Sequence, residues 1–424
     1  MKSYYNQEKI SSSLQKYFKN FVILSKPQLK NLSFIITGMI SAESVVTSDI
    51  SKKLKDDFSL IDLESIERRF RRFFASFSSI AYALYSALIS YIISNLCVKH
   101  SDNKIHISFD HMFWKDKFTV LLFSLRIGKQ GIPLWFRCFK GKHNSSAYSM
   151  DLIKEGISYC ANLFSNKNYH IIFLADRWFP HVEILSHIQS IDCFYCIRAK
   201  SYLSYSYYNS KGLLVYSHLR DIHPWKHRAR VVENVLFTRK LFKTNIVVAR
   251  SSNTDDPWYL VTNDSPARAV RNYSYRFGSI ECIFKSQKSN GFRLESTNTQ
   301  KIEHFISLFT IMCIALTWLT VIGFDFVRNK HHYHLKIRDT QKNKDKNTTN
   351  RRLSLFNLGL TIFNRCYYNF VNFTLKFDFV LYDLWLLIYI IQYKIGCYLF
   401  LPCLFYIKCA ELTYFFCFFC SSWT

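Results

Sequence analysis

The chain has 424 residues, 49% hydrophobic and 17% aromatic, and this composition excludes a largely disordered protein. Its length predicts a sizeable core and more than one domain. Lysine and arginine total 56 against 30 acidic residues, so the net charge is +26. An excess of this size favours a polyanionic partner, either nucleic acid or an acidic membrane surface.

The 13 cysteines are scattered along the chain. This pattern predicts buried, reduced thiols of a cytosolic protein rather than a disulfide framework. Cys193 and Cys196 form a CxxC pair, but no second pair stands at zinc-ribbon distance, so we expect no structural metal site there. The N-terminus lacks an apolar segment, which predicts no secretory signal.

Residues 1–100 carry apolar residues at helical spacing and predict an α-helical N-terminal region. The expected helices run from Leu14 to Ile23, from Gln28 to Ile40, from Ser48 to Phe58, and onward from Asp62. The last of these contains four arginines: Arg68, Arg69, Arg71 and Arg72. Short helices followed by a basic one suit a DNA-binding module related to the helix-turn-helix, and a plain bundle with a solvated arginine face is the alternative.

Residues 77–97 are apolar enough to suggest a membrane span. Serines interrupt this stretch, and strands follow it directly, so we expect a packed helix instead.

From residue 104 the apolar period changes to that of strands, and residues 101–200 predict the first part of an α/β core. The predicted elements are strands over 105–110, 118–125 and 132–139, a helix over 146–164, a strand over 169–176, a helix over 178–188 and a strand over 193–199. The fourth strand is a continuous apolar run, which is typical of a buried parallel strand.

Residues 201–264 predict a β-rich insertion with polar turns, and residues 265–327 predict the return to the core. Strands are expected over 213–219, 230–238, 244–250 and 258–262. After them, Tyr273 to Gly291 is interpreted as one helix that ends at Gly291. On that helix Glu281, Lys285 and Lys288 share a face.

The apolar run from His304 to Val327 is long enough to span a bilayer, but its position inside the α/β unit predicts a central helix packed against the sheet. Residues 328–352 form a basic polar linker whose His331, His332 and His334 are weak candidates for metal ligands. Residues 353–383 predict a helical region, and residues 384–424 form an apolar tail without a predicted role.

Three acids stand out in this order of elements. Asp110 ends the first strand, Asp176 ends the fourth, and Glu281 lies on the helix after the insertion. Each alone is explained as the polar end of an element. Together they predict a two-metal site, because Mg²⁺ prefers carboxylate oxygens. Two ions roughly 3.5–4 Å apart activate the attacking oxygen and stabilise the leaving oxygen in phosphodiester displacement.

These features resemble the DDE transposases of bacterial insertion sequences, in the branch with a Tyr-Arg-Glu-Lys signature. The resemblance covers residues 12–327 and, more loosely, continues to Asp383. The stretches that carry it are Ser108 to His111, Gly128 to Leu134, Leu174 to Phe179, Pro257 to Asn263 and Arg276 to Phe292.

The resemblance implies a ribonuclease H-like catalytic core with an all-β insertion and an α-helical N-terminal DNA-binding region. It implies that Asp110, Asp176 and Glu281 are catalytic and bind two Mg²⁺ ions, with Mn²⁺ as a substitute. The residues that it implies for DNA binding are Tyr273, Arg276, Lys285, Lys288, Arg177 and Trp258. Either Trp258 or Trp225 is expected to stack on a displaced base.

The implied activity is metal-dependent nicking at the ends of an insertion sequence, followed by transfer of the 3′-OH into target DNA. The expected partners are transposon-end DNA, target DNA and a second copy of the chain in a synaptic homodimer. No small-molecule cofactor and no membrane contact are expected, and the expected location is the cytoplasm, in association with the nucleoid. A catalytically inactive DNA-binding relic and a membrane protein built on 77–97, 305–327 and 384–420 are the alternatives.

The spacing of the signature departs from the family. Four residues separate Arg276 from Glu281, whereas the signature has three. On one continuous helix this spacing predicts that Arg276 is turned away from the face that carries Glu281.

Overall fold

Helices surround a mixed sheet that extends through most of the chain. The computed structural model of the protein describes residues 12, 14–15, 24–55, 61–95, 103–165, 168–225, 228–250, 256–288, 291–329, 337, 340–342, 349–351 and 353–369. The predicted helix from Leu14 to Ile23, the histidines of the linker and the tail over 384–424 lie wholly or mainly outside these residues.

The main sheet of the described residues has ten strands in the order β3-β2-β1-β4-β5-β10-β9-β8-β6-β7. They are β1 (Lys104–Trp114), β2 (Phe118–Ile127), β3 (Gln130–Lys140), β4 (His170–Ala175), β5 (Phe194–Ala199), β6 (Ser204–Tyr208), β7 (Leu214–His218), β8 (Arg230–Phe237), β9 (Phe242–Ala249) and β10 (Trp258–Thr262). Strand β4 pairs in parallel with β1 and β5, and the other pairs are antiparallel. The predicted α/β class and the three consecutive antiparallel strands are confirmed.

Strands occupy the range predicted as a β-rich insertion, and they belong to the same sheet as the core strands. Strand β10 pairs with β5 and joins β6 to β9 to the core sheet. The sequence predicts the strands found as β7 to β10 and misses β6, a short tyrosine- and serine-rich segment in which the alternation of apolar and polar residues is weak.

Ahead of the sheet the structure describes α1 (Lys26–Ala42), α2 (Thr47–Leu54) and α3 (Leu63–Asn95). Ser25 and Gln28 form a reciprocal capping box at the start of α1, and Asp62 accepts the backbone N–H of Ser65 at the start of α3. The arginine segment and residues 77–95 form one 33-residue helix.

The N-terminal helices share a core with the sheet. The Tyr85 hydroxyl on α3 donates to the Pro133 carbonyl of β3 at 2.8 Å, and the Tyr85 and Thr317 hydroxyl oxygens lie 3.2 Å apart. Arg68 and Arg71 are exposed and form i,i+4 ion pairs with Glu64 and Glu67. The arginines therefore lie on a solvated face of a helix whose other face is buried.

Helix α4 (Met150–Asn162) lies between β3 and β4, and α5 (Val182–Ser190) lies between β4 and β5, whereas α6 (Ala269–Ser274) and α7 (Ile280–Gln287) follow β10. The prediction of one helix from Tyr273 to Gly291 is wrong. Helix α6 ends at Ser274, residues 275–279 form a turn, and α7 ends at Gln287 rather than at Gly291. The backbone of Ser279, with φ −117° and ψ −89°, is not helical, and its buried hydroxyl faces the sheet.

Two apolar helices follow: α8 (Ile302–Asn329) and α9 (Leu355–Asn369). Among the described residues, α8 and α3 are long and apolar enough to cross a membrane, and the bent pair of α1 and α2 adds a third candidate. In α8, however, 78% of the most apolar window is buried inside the protein, as expected for a core helix, whereas 44% is buried in α3. Two short strands, β11 (Thr340–Lys342) and β12 (Thr349–Arg351), form a hairpin between α8 and α9.

The described cysteines agree with the predicted buried thiols. Those that are free and buried are Cys138, Cys160, Cys193, Cys196 and Cys313. Burial raises the pKa of Cys193 to about 11, so this thiol is un-ionised at neutral pH.

Gly131 is the closest point of contact between β3 and α7. A Cβ atom at this position would lie 2.7 Å from the Ser279 carbonyl oxygen and 2.8 Å from Cδ1 of Ile283. A glycine therefore allows the helix that carries Glu281 to lie directly on the sheet.

We expect Gly131→Ala to destabilise the protein by roughly 1–3 kcal/mol, because the added methyl group overpacks a backbone contact. Thermal denaturation should show a melting temperature several degrees below that of the wild type. Gly278→Ala is the control, since the nearest atom to its added Cβ would lie 3.6 Å away. Equal melting temperatures for the two variants would contradict this account of the contact.

Candidate active site

Strand register brings Asp110 and Asp176 side by side. Phe109 of β1 pairs with Ala175, the last residue of β4, so the next residues along these parallel strands are Asp110 and Asp176. Neighbouring strands lie about 4.8 Å apart. The prediction that Asp110 ends its strand is wrong, because β1 continues to Trp114 and pairs with β2 as far as that residue. What ends beside Asp110 is its parallel partner β4.

Glu281 approaches the same edge on the first turn of α7. The Ser279 hydroxyl lies 2.9 Å from the Ser124 hydroxyl on β2, and Ile283 packs at Gly131 on β3. These two contacts hold the start of α7 against the sheet, and thereby fix the position of the glutamate relative to Asp110.

Arg276 lies between the acids and contacts two of them. Its Nη2 donates to Oδ2 of Asp110, and its Nη1 donates to Oε1 of Glu281 at 3.0 Å. The prediction that Arg276 is turned away from Glu281 is therefore wrong. The turn over 275–279 breaks the helical phase on which that prediction depends and returns the guanidinium to the glutamate.

Tyr273 connects the third acid to this cluster. Its hydroxyl donates to Oδ1 of Asp176 at 3.2 Å, and its side chain is 1% exposed. Helix α6 carries Tyr273. The preceding residue, Asn272, fixes this helix, because its side-chain amide donates to the Asp264 carboxylate at 2.9 Å. Lys104 also pairs with this buried Asp264, so α6 is tied to the start of β1.

The electrostatics of the cluster are dominated by burial and by the shared cation. Burial raises the pKa of Asp110 to about 6, although the Arg276 guanidinium and the backbone N–H of His111 act in the opposite direction. Burial alone would lower the pKa of Arg276, but the surrounding carboxylates, Asp110 first among them, raise it above its ordinary value. Arg276 is therefore a permanent positive charge shared by the acids.

The structure places the predicted DNA-binding residues in two different environments. Arg177, which follows Asp176, and Lys285, which lies one helical turn after Glu281, are both exposed. Lys288 is half-buried and forms an ion pair with Glu295 at 3.5 Å. Tyr273 and Arg276, in contrast, are buried and face carboxylates rather than solvent. In this structure both side chains contact the acids, and their contact with DNA phosphates stays a prediction.

The two tryptophans considered for base stacking also differ. Trp258 is half-buried and packs against the rings of Tyr273 and Phe277, with centroids 5.0 and 5.7 Å away. Trp225 is 58% exposed in the insertion. The ring contacts of Trp258 make it part of the support for Tyr273.

The donor set fits divalent metal in its chemistry. Three carboxylates provide hard oxygen ligands of the type that Mg²⁺ prefers. Two of them, Asp110 and Glu281, pair with Arg276, and the third, Asp176, accepts from the Tyr273 hydroxyl. Within the described residues, no group of three or more His, Cys, Asp or Glu side chains is arranged as it would be around an ion. Arg276 lies between Asp110 and Glu281 and contacts both carboxylates.

Comparison with known proteins finds a match. The family model described as "Transposase DDE domain" matches residues 118–318. Over this range, just under half of the chain, the protein is similar to transposases with a DDE domain. A search of the curated proteins finds no match.

The matched range contains Asp176 and Glu281 and begins at β2, after Asp110. The position of Asp110 therefore rests on the strand register, which sets it beside Asp176. The match is to the domain as a whole, and the Tyr-Arg-Glu-Lys branch stays a prediction.

Sequence reasoning missed the roles of Arg276 and Tyr273 as partners of the acids. The signal was the pair Gly278-Ser279, which interrupts the helical pattern ahead of Glu281. It also missed Trp178, which is 61% exposed two residues after Asp176.

We expect Arg276→Gln to cost roughly 3 kcal/mol at pH 8, because it leaves a buried carboxylate without its cation. The folded-state pKa of Asp110 lies above its ordinary 3.8. The folded state therefore keeps the Asp110 proton to a higher pH than the unfolded state does. The contribution of Asp110 to the free energy of unfolding consequently falls as the pH rises from 3.8 to about 6. At pH 5 Asp110 is protonated with or without Arg276, so the penalty of the substitution should be smaller.

Melting temperatures of the wild type and the variant at pH 5 and pH 8 test this prediction. The control is Arg271→Gln, which removes an exposed guanidinium that donates to the Tyr275 hydroxyl, and it should change little at either pH. A penalty for Arg276→Gln that does not depend on pH would contradict the pairing with Asp110.

Proposed function

We propose that this transposase cuts DNA at the ends of its element and transfers the resulting 3′-OH into target DNA. In this proposal Asp110, Asp176 and Glu281 are the catalytic acids. The observation that carries it is the gathering of these three carboxylates, from three separate elements, around Arg276 and Tyr273. The family match supports the class of reaction.

The proposed cofactor is a pair of Mg²⁺ ions, with Mn²⁺ as a substitute, held by Asp110, Asp176 and Glu281. When bound, such ions polarise the scissile phosphate and lower the pKa of the attacking water or hydroxyl. Asp110 would bind a metal ion in its ionised form, and with a pKa of about 6 its carboxyl group is mostly ionised at neutral pH.

The other residues of the cluster position the acids. Tyr273 donates to one oxygen of Asp176 and leaves the other oxygen for a ligand. The backbone N–H of His111 does the same for Oδ1 of Asp110 at 2.8 Å, and the His111 ring is fixed by the Ala147 carbonyl. Arg276 balances the negative charge of the site, and the two carboxylates that it contacts, Asp110 and Glu281, would be ligands of a divalent cation.

The proposed partner is double-stranded DNA at the element ends and at the target. The net charge of +26 provides non-specific attraction for a polyanion, and the exposed Lys285 and Arg177 place part of that charge beside the site. On α3, Arg68 and Arg71 are exposed and paired with Glu64 and Glu67, and the exposed Arg72 adds to the basic charge of that face. Assembly as a synaptic homodimer and association with the nucleoid belong to the same proposal.

We expect Asp176→Asn to abolish Mg²⁺-dependent nicking while the protein still binds DNA. The amide keeps the size and one acceptor oxygen of the carboxylate but loses the charge that a divalent ion needs. The measurement uses a labelled duplex that contains the inverted repeat flanking the coding region, with nicking followed on denaturing gels and binding by mobility shift.

Glu183→Gln is the matched control, since Glu183 is an exposed acid that pairs with Lys240 on the surface. It should nick as the wild type does. Nicking by Asp176→Asn would reject the proposed role of this residue. A wild-type protein that shifts the duplex but never nicks it with Mg²⁺ or Mn²⁺ would identify the chain as an inactive DNA-binding relic.

A further inference from the structure

A cluster of exposed aromatic and basic side chains lies after the carboxyl ends of β4 and β5. Trp178 follows β4, and Lys200 and Tyr202 follow β5, which is the parallel neighbour of β4. Because parallel strands end at the same edge of a sheet, this cluster shares the edge that carries Asp176. The turn from Asp176 to Phe179, closed by a 3.1 Å backbone hydrogen bond, holds Trp178 next to the acid.

The three side chains form one surface. The Lys200 ammonium lies 3.6 Å from the centroid of the Trp178 ring and 5.8 Å from that of Tyr202. Such distances are those of cation–π contacts. The ammonium lies over the indole ring, and Trp178 is nevertheless 61% exposed, so most of this residue's surface meets solvent.

The packing of the core does not explain this exposure. The neighbouring Phe179 is 1% exposed and supplies the apolar anchor of the turn, whereas Trp178 and Tyr202, at 61% and 58%, contribute little to the core. Large aromatic rings held in solvent beside a cation are typical of a surface that binds a ligand.

The chemistry of the cluster indicates the class of ligand. Proteins bind unpaired nucleotides by stacking bases on aromatic rings while basic side chains follow the phosphates. Trp178 and Tyr202 offer the rings, and Lys200 and the exposed Arg177 offer the charge. A duplex presents its bases stacked on each other, so these rings can act only on nucleotides that have left the helix.

We propose that Trp178, Lys200 and Tyr202 bind an unpaired nucleotide of the DNA strand next to Asp176. The base stacks on the aromatic rings, and the adjoining phosphate contacts Lys200. This inference rests on the proposed function for its ligand, and it names a position for a displaced base that differs from both Trp258 and Trp225. Trp258 has its ring packed against Tyr273 and Phe277 and is half-buried.

Binding of the full chain to DNA in EDTA tests the proposal, because without metal the result does not depend on cleavage. The probes are a fluorescein-labelled single-stranded oligodeoxynucleotide of mixed sequence and the same sequence as a duplex. We expect Trp178→Ala to weaken binding of the single strand roughly tenfold, the loss of one stacked base, and to change duplex binding less than about twofold.

Tyr216→Ala is the matched control. Tyr216 is 63% exposed on β7, at the outer edge of the sheet, and its loss should leave both affinities unchanged. A single strand that carries 2-aminopurine adds a readout of stacking itself. Its fluorescence should be quenched by the wild type and by Tyr216→Ala, and the quenching should be lost in Trp178→Ala, which a purely electrostatic contact would not produce.

The outcomes separate the two proposals. If the wild type binds both probes and Trp178→Ala binds and quenches as well as the wild type, this inference is overturned while the proposed function stands. If the wild type binds neither probe, the proposed function fails as well. Weaker binding by Trp178→Ala with equal loss on the duplex would identify a general charge contact and would also overturn the stacking role.

Discussion

The site depends on one buried guanidinium that is shared by carboxylates. Arg276 is 5% exposed and donates to Asp110 and Glu281, while Tyr273 satisfies Asp176. A buried charge without partners costs several kcal/mol, so neither the arginine nor the acids would be stable there alone. The elements that supply them, β1, the end of β4, the turn after α6, and α7, are therefore held in one arrangement by the same interaction.

The same constraint connects the fold to the chemistry. Carboxylates that lie close together repel each other unless a cation is near them. In this structure Arg276 is that cation for Asp110 and Glu281. The contacts of Gly131 and Ser124 with the start of α7 set how closely Glu281 approaches the sheet, and the register of β1 with β4 sets the two aspartates side by side.

Much of the fold could be predicted from the sequence, because strands β1 to β5 and β7 to β10 are marked by alternation or by apolar runs. The three acids could be chosen because each stands beside a clear element. The role of Arg276 could not, since it depends on a turn of five residues between two helices that local periodicity joins into one. The union of the insertion with the core sheet was also missed, because strand pairing over long separations leaves no local pattern.

Iron-directed cleavage of the protein backbone tests most directly whether the three acids hold a common cation. Fe²⁺ bound in place of Mg²⁺ generates hydroxyl radicals with ascorbate and peroxide, and these cut the chain close to the ion. The account predicts cuts near residues 110, 176 and 281 together, all suppressed by excess Mg²⁺. Cuts near only one of these positions, or at sites that Mg²⁺ does not protect, would contradict it.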